Sequence, residues 1–579
     1  MKEYSNEEAK VLVNIMQCME QKFQFAQRYT LKKSMMKFGN RGRQAAQSEL
    51  SQLNDRMVFT PIHRRDITNE ELRKSMESLM FLTEKRDGTV KARACANGSV
   101  QREYVVRDKA ASPTVISESV FITSCIDAKE NRDVMTCDIP NAFVQTEIQN
   151  QEIGERIIMK IRGTLLEILV QMYPEKYSGY VVEEGGRKTL YVVMLKALYG
   201  MMMSSLLYYL KFRGDLEVIG FQVNPYDPCV ANRIVRGRQH TVIWHVDDLK
   251  SSHVNKKVND EFLEWLKRKY ANDGIGNVSV TRGRRHEYLG MTLVFTNEGN
   301  LKIEMINYID KMCKEFPEKL DGDTKYPWTE KLFSVDKNSD ELDTQSKNSF
   351  HTHTMKMMYL AKRARPDVLP AVIFLSTRVK APTVQDWRKL KKMMSFIWGT
   401  KEEVMTLNCM KSDVITWYVD AAFAVHSDMK SHTCALMTLG MGSVCAYSLK
   451  QKVNARSSTE AELIGTDDVL STILWTEKFM NCQGLGMRQN IVFRDNTSTM
   501  KLEENGRMSA GKRTRHFDIK YFYITDLIKR KEITIKYCPT GSMWADYMTK
   551  PLVGKDFHAY RKNIMNVNLI EETWSAGVC

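Results

Sequence analysis

The sequence predicts an α+β region followed by a separate α/β domain, and three observations support this. The chain has 579 residues, which is too many for one hydrophobic core. The stretch Thr241–His253 has the pattern of a strand, two adjacent carboxylates and a second strand. From residue 413 onward, strand and helix patterns alternate over about 140 residues, which is a normal size for one domain.

The first 300 residues are predicted to contain many strands, and turn residues separate one strand from the next. Residues 1–60 form a polar extension of helical pattern, with a basic segment at Tyr29–Arg43. Asp87-Gly88 indicates a hairpin, and Lys91 and Arg93 alternate on one face of its second strand. The later predicted elements are a strand at Asp133–Asp138 that Pro140 ends, a hairpin around Glu184–Arg187, a helix running to Leu210, a strand at Cys229–Val235, a basic loop at Arg236–His240, a helix at Glu261–Tyr270 and a basic cluster with a strand at Arg282–Met291.

Residues 300–405 are predicted to be mostly helical, with a polar loop or linker at 335–350. Ser457 and Glu460 have the spacing of a capping box at the start of the main helix of the last domain. The predicted elements of that domain are strands at Val414–Val419, Thr433–Leu439, Ser443–Leu449, Asn490–Arg494 and Glu532–Tyr537, with helices at Ser457–Met480, Thr497–Glu504, Asp518–Lys529 and Met543–Thr549.

The tip of the predicted hairpin breaks a local rule. Tight hairpin tips favour Gly or Asn because their backbone needs positive φ, yet Val246, Asp247 and Asp248 stand there. Such strain at an acidic position indicates a functional site. Adjacent carboxylates also repel each other unless a cation lies between them. Taken alone, the pair is better explained as an exposed polar turn, so the rest of the chain has to show whether these acids form a site.

Carboxylates at predicted strand ends form two groups. Asp138 ends its strand in the first half, where Asp247 and Asp248 lie in the hairpin, and these three could hold two Mg²⁺ ions. The last domain has four more acids at strand ends or on helices, a set suited to two Mg²⁺ ions about 4 Å apart in phosphodiester cleavage. These four are Asp420, Glu462, Asp495 and Asp546.

Composition favours a polyanionic partner and excludes several classes of protein. The net charge of +15 makes nucleic acid the first candidate, although a merely basic protein is the alternative. The 12 cysteines have no Cys-x-x-Cys spacing, so neither a zinc ribbon nor a redox motif is predicted, and free thiols in a reducing compartment are expected. No apolar stretch is long enough for a membrane span or a signal peptide.

Many short motifs, in one order, resemble the reverse transcriptase and ribonuclease H region of copia-type retrotransposon Pol polyproteins. The resemblance covers roughly residues 60–555. The motifs that carry it are Cys137–Phe143, Lys196–Gly200, His245–Asp248, Tyr288–Gly290, Ala364–Asp367, Ser457–Glu462, Arg494–Asn496, Lys512–His516 and Ala545–Pro551.

This resemblance implies a right-hand polymerase with fingers, palm and thumb, followed by an α/β ribonuclease H-like domain. Asp138, Asp247 and Asp248 would be the polymerase metal ligands, and the four acids of the last domain would be the nuclease ligands. Glu462 is preferred to Glu460 because Leu-Ile follows it. The implied substrate-binding residues are Lys91, Arg93, Phe143 as the gate against a ribose 2′-hydroxyl, Tyr199, Gly200, Tyr288, Gly290 and His516.

The implied activity is RNA- and DNA-directed DNA synthesis together with cleavage of the RNA strand of a hybrid. The cofactors would be two Mg²⁺ ions in each site, with Mn²⁺ as a substitute, and the partners would be an RNA template, a DNA primer, an RNA–DNA hybrid and deoxynucleoside triphosphates. In the parent element this region would be linked to a protease and an integrase, and it would act in a cytoplasmic virus-like particle or in the nucleus. The implied domains are an extension at 1–60, fingers and palm at 61–300, a thumb and connection at 301–410, a ribonuclease H domain at 411–555 and a tail at 556–579.

The sequence departs from the family pattern at several positions. These are Pro140, Met202, Met203, Ser205 and His245, together with a loop at Cys538–Ser542 that lacks histidine. One alternative is therefore a catalytically inactive, nucleic-acid-binding remnant of a retrotransposon, and another is an interaction protein with a ribonuclease H-like fold. The seven retained acids disfavour the first alternative, and the motifs of the polymerase half disfavour the second.

Overall fold

A computed structural model describes residues 29–84, 88–106, 110–148, 156–271, 276–410, 413–506 and 519–567. Asp87 of the predicted hairpin and His516 of the predicted substrate site lie outside these residues. No helix in the described part of the chain combines the length and the apolar character that crossing a membrane requires.

The strands follow the alternating apolar pattern, because successive side chains point to opposite faces of a sheet. In chain order they are β1 Tyr29–Thr30, β2 Phe59–Ile62, β3 Met76–Glu84, β4 Val90–Asn97, β5 Asp133–Asp138, β6 Ile158–Arg162, β7 Val181–Glu184, β8 Arg187–Met194, β9 Gln222–Asn224, β10 Asp227–Val235, β11 Arg238–His245, β12 Asp248–His253, β13 Ser279–Arg282, β14 Arg285–Tyr288, β15 Met291–Phe295, β16 Asn300–Glu304, β17 Met405–Asn408, β18 Val414–Ala422, β19 His432–Thr438, β20 Cys445–Lys450, β21 Gln489–Arg494 and β22 Thr534–Tyr537.

Some helices are amphipathic, such as Lys256–Tyr270, whereas others, such as Ser117–Lys129, are buried on all sides. In chain order they are α1 Leu31–Asp55, α2 Asn69–Lys74, α3 Ser117–Lys129, α4 Gly163–Met172, α5 Pro174–Tyr177, α6 Ser204–Val218, α7 Lys256–Tyr270, α8 Ile306–Lys314, α9 Thr344–Ala361, α10 Leu369–Ser376, α11 Val384–Gly399, α12 Ser458–Cys482, α13 Thr497–Asn505, α14 Tyr523–Lys529, α15 Asp546–Thr549 and α16 Gly554–Met565.

The chain divides into two compact units, each built from separate segments. The first unit comprises 1–113, 139–219 and 265–278. It contains a seven-stranded sheet with the order β1-β3-β6-β8-β2, to which β4 adds beside β3 and β7 beside β8. Helix α1 supplies Phe38, Leu50 and Leu53 to the core under this sheet. The helical pattern predicted for residues 1–60 is confirmed over Leu31–Asp55, but these three buried side chains belong to a core, which a polar extension does not predict.

The second unit comprises 114–138, 220–264 and 279–579 and contains three sheets. A six-stranded sheet has the order β13-β5-β12-β11-β10-β9, and a four-stranded sheet has the order β14-β15-β16-β17. A five-stranded sheet has the order β20-β19-β18-β21-β22, in which β18, β21 and β22 run parallel and the other pairs are antiparallel. Helix α12 packs against β18 and β19.

The predicted fold class is confirmed: mixed helices and sheets precede a five-stranded α/β domain in the order expected from the sequence. The predicted domain boundaries are functional divisions that these two units do not test, and they stay predictions. Several local predictions differ from the structure. Helix α9 begins at Thr344 inside the predicted linker because Asp343 caps it, accepting hydrogen bonds from two backbone N–H groups.

Two further differences lie in the last domain. Ser457 caps α12 by accepting a hydrogen bond from the Glu460 N–H, but the Glu460 carboxylate accepts from the Arg456 N–H, so the capping box is only half formed. In the predicted tail, residues 554–565 form helix α16, which buries Phe557, Tyr560 and Ile564.

Candidate active sites

The three polymerase acids meet at one end of the six-stranded sheet. Strands β11 and β12 form a hairpin in which His245 pairs with Asp248, so that Val246 and Asp247 form the two-residue tip. Strand β5 lies antiparallel to β12, and Asp138, its last residue, stands directly opposite Asp248. Directly opposed residues have Cβ atoms about 5 Å apart. The sheet register therefore brings together the three acids that the sequence predicted.

The hairpin tip is strained, as its sequence predicted. Val246 has φ of 59°, a left-handed conformation that a β-branched residue rarely adopts. The predicted three-residue tip is one residue shorter in the structure, because Asp248 already belongs to β12. The strained residue, Val246, is therefore the immediate neighbour of Asp247.

The electrostatics of this acid cluster favour a cation. Asp248 keeps surface exposure, but the protein atoms packed around its carboxylate, and then the charges of Asp247 and Asp138, raise its pKa to about 6. Like charges directly opposed across two strands are destabilising. A donor set made only of carboxylate oxygens is the set that Mg²⁺ prefers, so the residues present fit this ion.

A buried ion pair supports the strand that carries Asp248. The Lys250 ammonium donates to the carboxylate of Asp127, and both side chains are 1% exposed. Ser252 Oγ donates to the other Asp127 oxygen at 2.6 Å. Lys250 and Ser252 lie on the same face of β12 as Asp248, so this contact ties the acid-bearing strand to α3. The sequence did not predict this ion pair, because Lys250 and Asp127 are far apart in the chain and no local pattern indicates that they meet.

In the first unit, three predicted substrate-binding side chains form one stack. The guanidinium of Arg93 lies over the ring of Tyr199, 4.2 Å from its centroid. The ring of Phe143 meets Tyr199 edge-on at 4.7 Å. Lys91 is exposed on the same face of β4 as Arg93, while Ala92, Ala94 and Ala96 face the core. The structure thus places a cation on an aromatic platform.

Gly200 is needed where it stands. The backbone of Tyr199 accepts a hydrogen bond from the Ala96 N–H at 2.7 Å, which brings the loop against β4. Gly200 has φ of 89°, and a Cβ there would lie 2.1 Å from the Ala96 carbonyl oxygen. The glycine therefore serves this close approach of two backbone segments.

Tyr288 and Gly290 belong to the hairpin between β14 and β15. Tyr288 pairs with Met291, and Leu289 and Gly290 form the tip with φ of 50° and 78°. The Tyr359 hydroxyl donates to the Leu289 carbonyl at 3.0 Å and fills the space beside Gly290. Tyr288 itself is 3% exposed, and its hydroxyl is buried without a hydrogen-bond partner. Its predicted role as a direct substrate contact stays a prediction, and in the structure it packs beneath the hairpin.

The four predicted nuclease acids lie at one end of the five-stranded sheet. Asp420 and Asp495 follow the paired residues Tyr418 and Phe493 of parallel strands by two positions, so both point to one face. Glu462 lies in the second turn of α12. One carboxylate oxygen from each of these three acids lies within 4.8 Å of the other two, the tightest acidic cluster among the residues described.

Asp546, the first residue of α15, completes this cluster. Its carboxyl shares a hydrogen bond with Asp420, and burial together with the charge of Asp420 raises its pKa to about 7. Burial raises the pKa of Glu462 well above its ordinary value, although the charge of Arg494 opposes this. Asp420, Glu462 and Asp546 are each 4% exposed. Buried carboxylates this close are stable together when a proton or a cation reduces their negative charge, and the all-oxygen donor set again fits Mg²⁺.

Sequence reasoning missed the cations and donors around this cluster. Lys550 Nζ lies 2.7 Å from Asp546 Oδ1, one helical turn later. Thr549 Oγ1 donates to Asp420 Oδ2 at 2.6 Å. Arg494, the last residue of β21, is completely buried. Lys550 and Thr549 both lie in the motif Ala545–Pro551. The spacing of four residues between Asp546 and Lys550 on a predicted helix indicates their contact.

Comparison with known proteins agrees with this arrangement. Residues 56–327 match the family described as "Reverse transcriptase (RNA-dependent DNA polymerase)". The Pol polyprotein from transposon TNT 1-94 of Nicotiana tabacum is 23% identical over 478 residues, covering 80% of this chain and 34% of that protein. The Pol polyprotein from transposon RE1 of Arabidopsis thaliana is 24% identical, covering 82% of this chain and 30% of that protein.

More distant similarities extend further along the chain. The Gag-Pol polyprotein of transposon Ty1-DR6 from Saccharomyces cerevisiae is 20% identical over 89% of this chain. A foamy viral protease-reverse transcriptase solved in complex with double-stranded DNA covers 84% of this chain and 68% of that chain, at 12% identity and a TM-score of 0.47, too weak a likeness to support a conclusion.

The curated relatives are much longer proteins. The chain spans only about a third of TNT 1-94 and of RE1. The matched region 56–327 contains all three polymerase acids, and the similarity to the transposon proteins continues beyond it. Residues 56–327 therefore match the reverse transcriptase family, and over about four fifths of its length the chain is similar to the Pol polyproteins of these plant transposons.

Proposed function

We propose that the chain is a two-site enzyme that synthesises DNA on an RNA or DNA template and cleaves the RNA strand of the resulting hybrid. The observation that carries this proposal is the presence of two separate acid clusters, at the ends of two different sheets. One lies within the reverse transcriptase region and the other in the five-stranded domain. Each cluster has the donor set that two-metal phosphoryl transfer requires.

In the polymerase site, the chain's own groups would bind and orient the reactants. Asp138, Asp247 and Asp248 would hold two Mg²⁺ ions, which when bound would activate the primer 3′-hydroxyl and neutralise the triphosphate charge. By the family resemblance, Arg93 of the first unit would offer its guanidinium, which lies over the ring of Tyr199, to the triphosphate. Phe143, wedged edge-on against Tyr199, would leave no room for a 2′-hydroxyl.

In the nuclease site, the three buried acids and the partly exposed Asp495 would hold the metal ions that activate water and stabilise the leaving oxygen. Lys550 keeps a partly exposed ammonium beside Asp546, from which it could contact a phosphate of the RNA strand. Such a site would recognise a hybrid through minor-groove shape and 2′-hydroxyl groups rather than through base sequence. The net charge of +15 supports salt-sensitive binding along the phosphate backbone.

The wider setting follows from the length of the relatives. Because the chain matches about a third of each plant polyprotein, we expect its parent element to link it to a protease and an integrase. Its expected location is a virus-like particle in the cytoplasm, or the nucleus. Western blotting of the element's products with an antibody against the five-stranded domain would test this linkage, which predicts a larger precursor.

A paired assay tests the two activities independently. Asp247→Asn should abolish primer extension on an RNA template in the presence of Mg²⁺, because it removes one ligand charge, while cleavage of a labelled RNA–DNA hybrid continues. Asp495→Asn should abolish hybrid cleavage and leave extension unchanged. Exposed Asp323, outside both clusters, gives the matched control, and Asp323→Asn should retain both activities.

The outcomes separate the proposal from its alternative. If the wild-type chain binds template–primer but shows neither activity with Mg²⁺ or Mn²⁺, the chain is a nucleic-acid-binding remnant. If Asp247→Asn also stops hybrid cleavage while the protein remains folded, the two clusters are not independent sites.

A further inference from the structure

A buried arginine lies beneath the candidate nuclease acids and belongs to no predicted ligand set. Arg494 is the last residue of β21 and immediately precedes Asp495. Its side chain is 0% exposed, so it cannot contact a nucleic acid or any other substrate. We propose that Arg494 is the positioning residue of the nuclease site, which joins the backbones carrying three of its four acids. This inference rests on the proposed nuclease function.

The guanidinium contacts β18 and α12, which carry Asp420 and Glu462, and it belongs to β21, which Asp495 follows. One terminal nitrogen donates to the carbonyl of Val419 at 3.1 Å, and Val419 is the residue before Asp420. The other terminal nitrogen donates to the carbonyl of Glu462 itself at 2.9 Å. The first nitrogen also lies 3.4 Å from the Glu462 carboxylate. Arg494 therefore fixes β18 and α12 to the end of β21, next to Asp495.

A second buried acid balances the charge of this arginine. Glu503 of α13 lies 3.3 Å from the guanidinium and is 0% exposed. Its carboxylate also accepts a hydrogen bond from Thr466 Oγ1, one helical turn beyond Glu462 on α12, at 2.6 Å. Because Glu503 supplies a counter-charge, Arg494 can bind two carbonyls without leaving an uncompensated charge in the core.

The geometry of the side chain explains why arginine stands here. A guanidinium offers a planar fork of donors that reaches two carbonyls and two carboxylates at once, whereas a lysine ammonium is a single point. Groups behind a metal site that orient its ligands alter metal affinity by about 10- to 100-fold when they are replaced. Loss of Arg494 should therefore weaken metal binding at this cluster without altering hybrid binding.

The test measures metal binding directly, in the full chain carrying Asp247→Asn to disable the polymerase cluster. Mn²⁺ is titrated by calorimetry, and the heat that Asp495→Asn removes identifies the nuclease site. In this background Arg494→Lys should weaken Mn²⁺ binding at that site about tenfold or more. For hybrid cleavage, kcat should fall and the Mn²⁺ concentration at half-maximal rate should rise, while KM for the hybrid stays unchanged.

A double variant separates positioning from folding. Arg494→Met with Glu503→Gln removes both charges of the buried pair, so the core stays neutral and the thermal midpoint should remain close to that of the parent. We expect its Mn²⁺ affinity to fall by the same factor as in Arg494→Lys. Arg132→Met is the control, because the Arg132 side chain is 4% exposed and paired with Asp127 and Glu130, away from the five-stranded sheet; it should lower the midpoint but leave Mn²⁺ affinity unchanged in the protein that remains folded.

Each outcome decides between the two proposals. If the double variant is folded and binds Mn²⁺ as tightly as the parent, Arg494 has no positioning role, whatever the activity of the chain. If the parent binds Mn²⁺ through Asp495 but cleaves no hybrid, the nuclease proposal fails, while the positioning role is still decided by the affinities.

Discussion

At the scale of single residues, Val246 shows how the chain tolerates strain where function would need it. A valine at φ of 59° occupies the tip between two long antiparallel strands. A backbone held in such a conformation costs about 1–3 kcal/mol. The pairing of β11 with β12, and of β12 with β5, imposes that conformation on the tip.

Val246→Asn should therefore stabilise the protein by about 1 kcal/mol, because Asn enters the left-handed region at lower cost. Thermal unfolding of the variant beside the wild type measures this gain as a higher midpoint. Val235→Asn is the comparison, since Val235 ends a neighbouring strand in the same sheet without positive φ. A midpoint for Val246→Asn that is no higher than that of the wild type would show that the tip is unstrained.

The site residues divide sharply into those that sequence could and could not predict. All seven acids were predicted, because carboxylates at strand ends and short motifs are local patterns. Strand pairing, proximity or a shared hydrogen bond brings six of them together in the two clusters, and Asp247 lies at the hairpin tip beside Asp248. Arg494, Glu503 and the Lys250–Asp127 pair were not predicted, because each acts on residues far away in the chain and only the folded register reveals the contact.

At the scale of elements, a buried histidine pair joins the loop after β18 to strands β19 and β20. His426 Nε2 lies 3.0 Å from His432 Nδ1, and His432 Nε2 lies 2.7 Å from Ser448 Oγ. Burial, and then the nearby charge of Lys450, lowers the pKa of His426 to about 4, with Asp428 acting in the opposite direction. Burial, and then His426 and Lys450, lowers the pKa of His432 to about 3.

This pair gives the fold a defined pH dependence. Because both histidines stay neutral in the folded state, only the unfolded chain takes up protons between about pH 6.5 and about pH 4. The contribution of this pair to the free energy of unfolding should therefore fall as pH decreases, by about 2 kcal/mol from His426 between about pH 6.5 and about pH 5. The raised pKa values of Asp248 and Asp546 act in the opposite direction, so the contribution of His426 is measured as the difference between the wild type and a variant without this histidine. Thermal midpoints recorded in EDTA at about pH 7 and about pH 5 measure it.

His426→Gln should flatten this slope, because glutamine does not titrate. His558→Gln, which replaces an exposed histidine of α16, should leave the slope as it is in the wild type. A slope that survives in His426→Gln would assign the acid sensitivity to other groups.

Elements were predicted well where their pattern was strong. Strand β5 matches its predicted bounds at Asp133–Asp138, and β18 begins at the predicted Val414. Helix α16 was missed because it lacks a start signal: Val553 precedes it without a side-chain cap, and Gly554 has φ of 68°. Its apolar residues nevertheless recur at helical spacing, from Phe557 through Tyr560 to Ile564.

At the scale of the whole chain, a buried charge network connects segments of the second unit that are distant in sequence. The Asp367 carboxylate accepts two hydrogen bonds from Arg365 and one from Arg561 of α16, at 2.8–2.9 Å. Arg561 also donates to Glu403, and the Tyr547 hydroxyl donates to the Asp367 carbonyl at 2.9 Å. Since Tyr547 follows Asp546 in the chain, this network ties the C-terminal helix to the residue next to one of the candidate nuclease acids.

Truncation after Val553 should therefore unfold the second unit or lower its thermal midpoint strongly, because it removes Arg561 and the buried face of α16. It should also abolish hybrid cleavage. Circular dichroism and limited proteolysis would measure the loss of structure. A chain ending at Val567, which keeps all of α16, is the control and should fold. If the chain truncated after Val553 unfolded at the same temperature as the wild type, α16 would not be needed for stability.

The two compact units are interleaved along the chain, and this has a consequence in time. The first unit takes its last segment from residues 265–278, and the second unit has already begun at residue 114. During synthesis at about 5–20 residues per second, neither unit can close before more than two hundred residues have left the ribosome. Asp138 would leave the ribosome well before the hairpin that carries Asp247 and Asp248. Unfolded segments of both units would therefore be exposed at the same time. A nascent chain of this design should depend on chaperones until residue 278 has emerged, and no cut within 114–278 can release one unit whole.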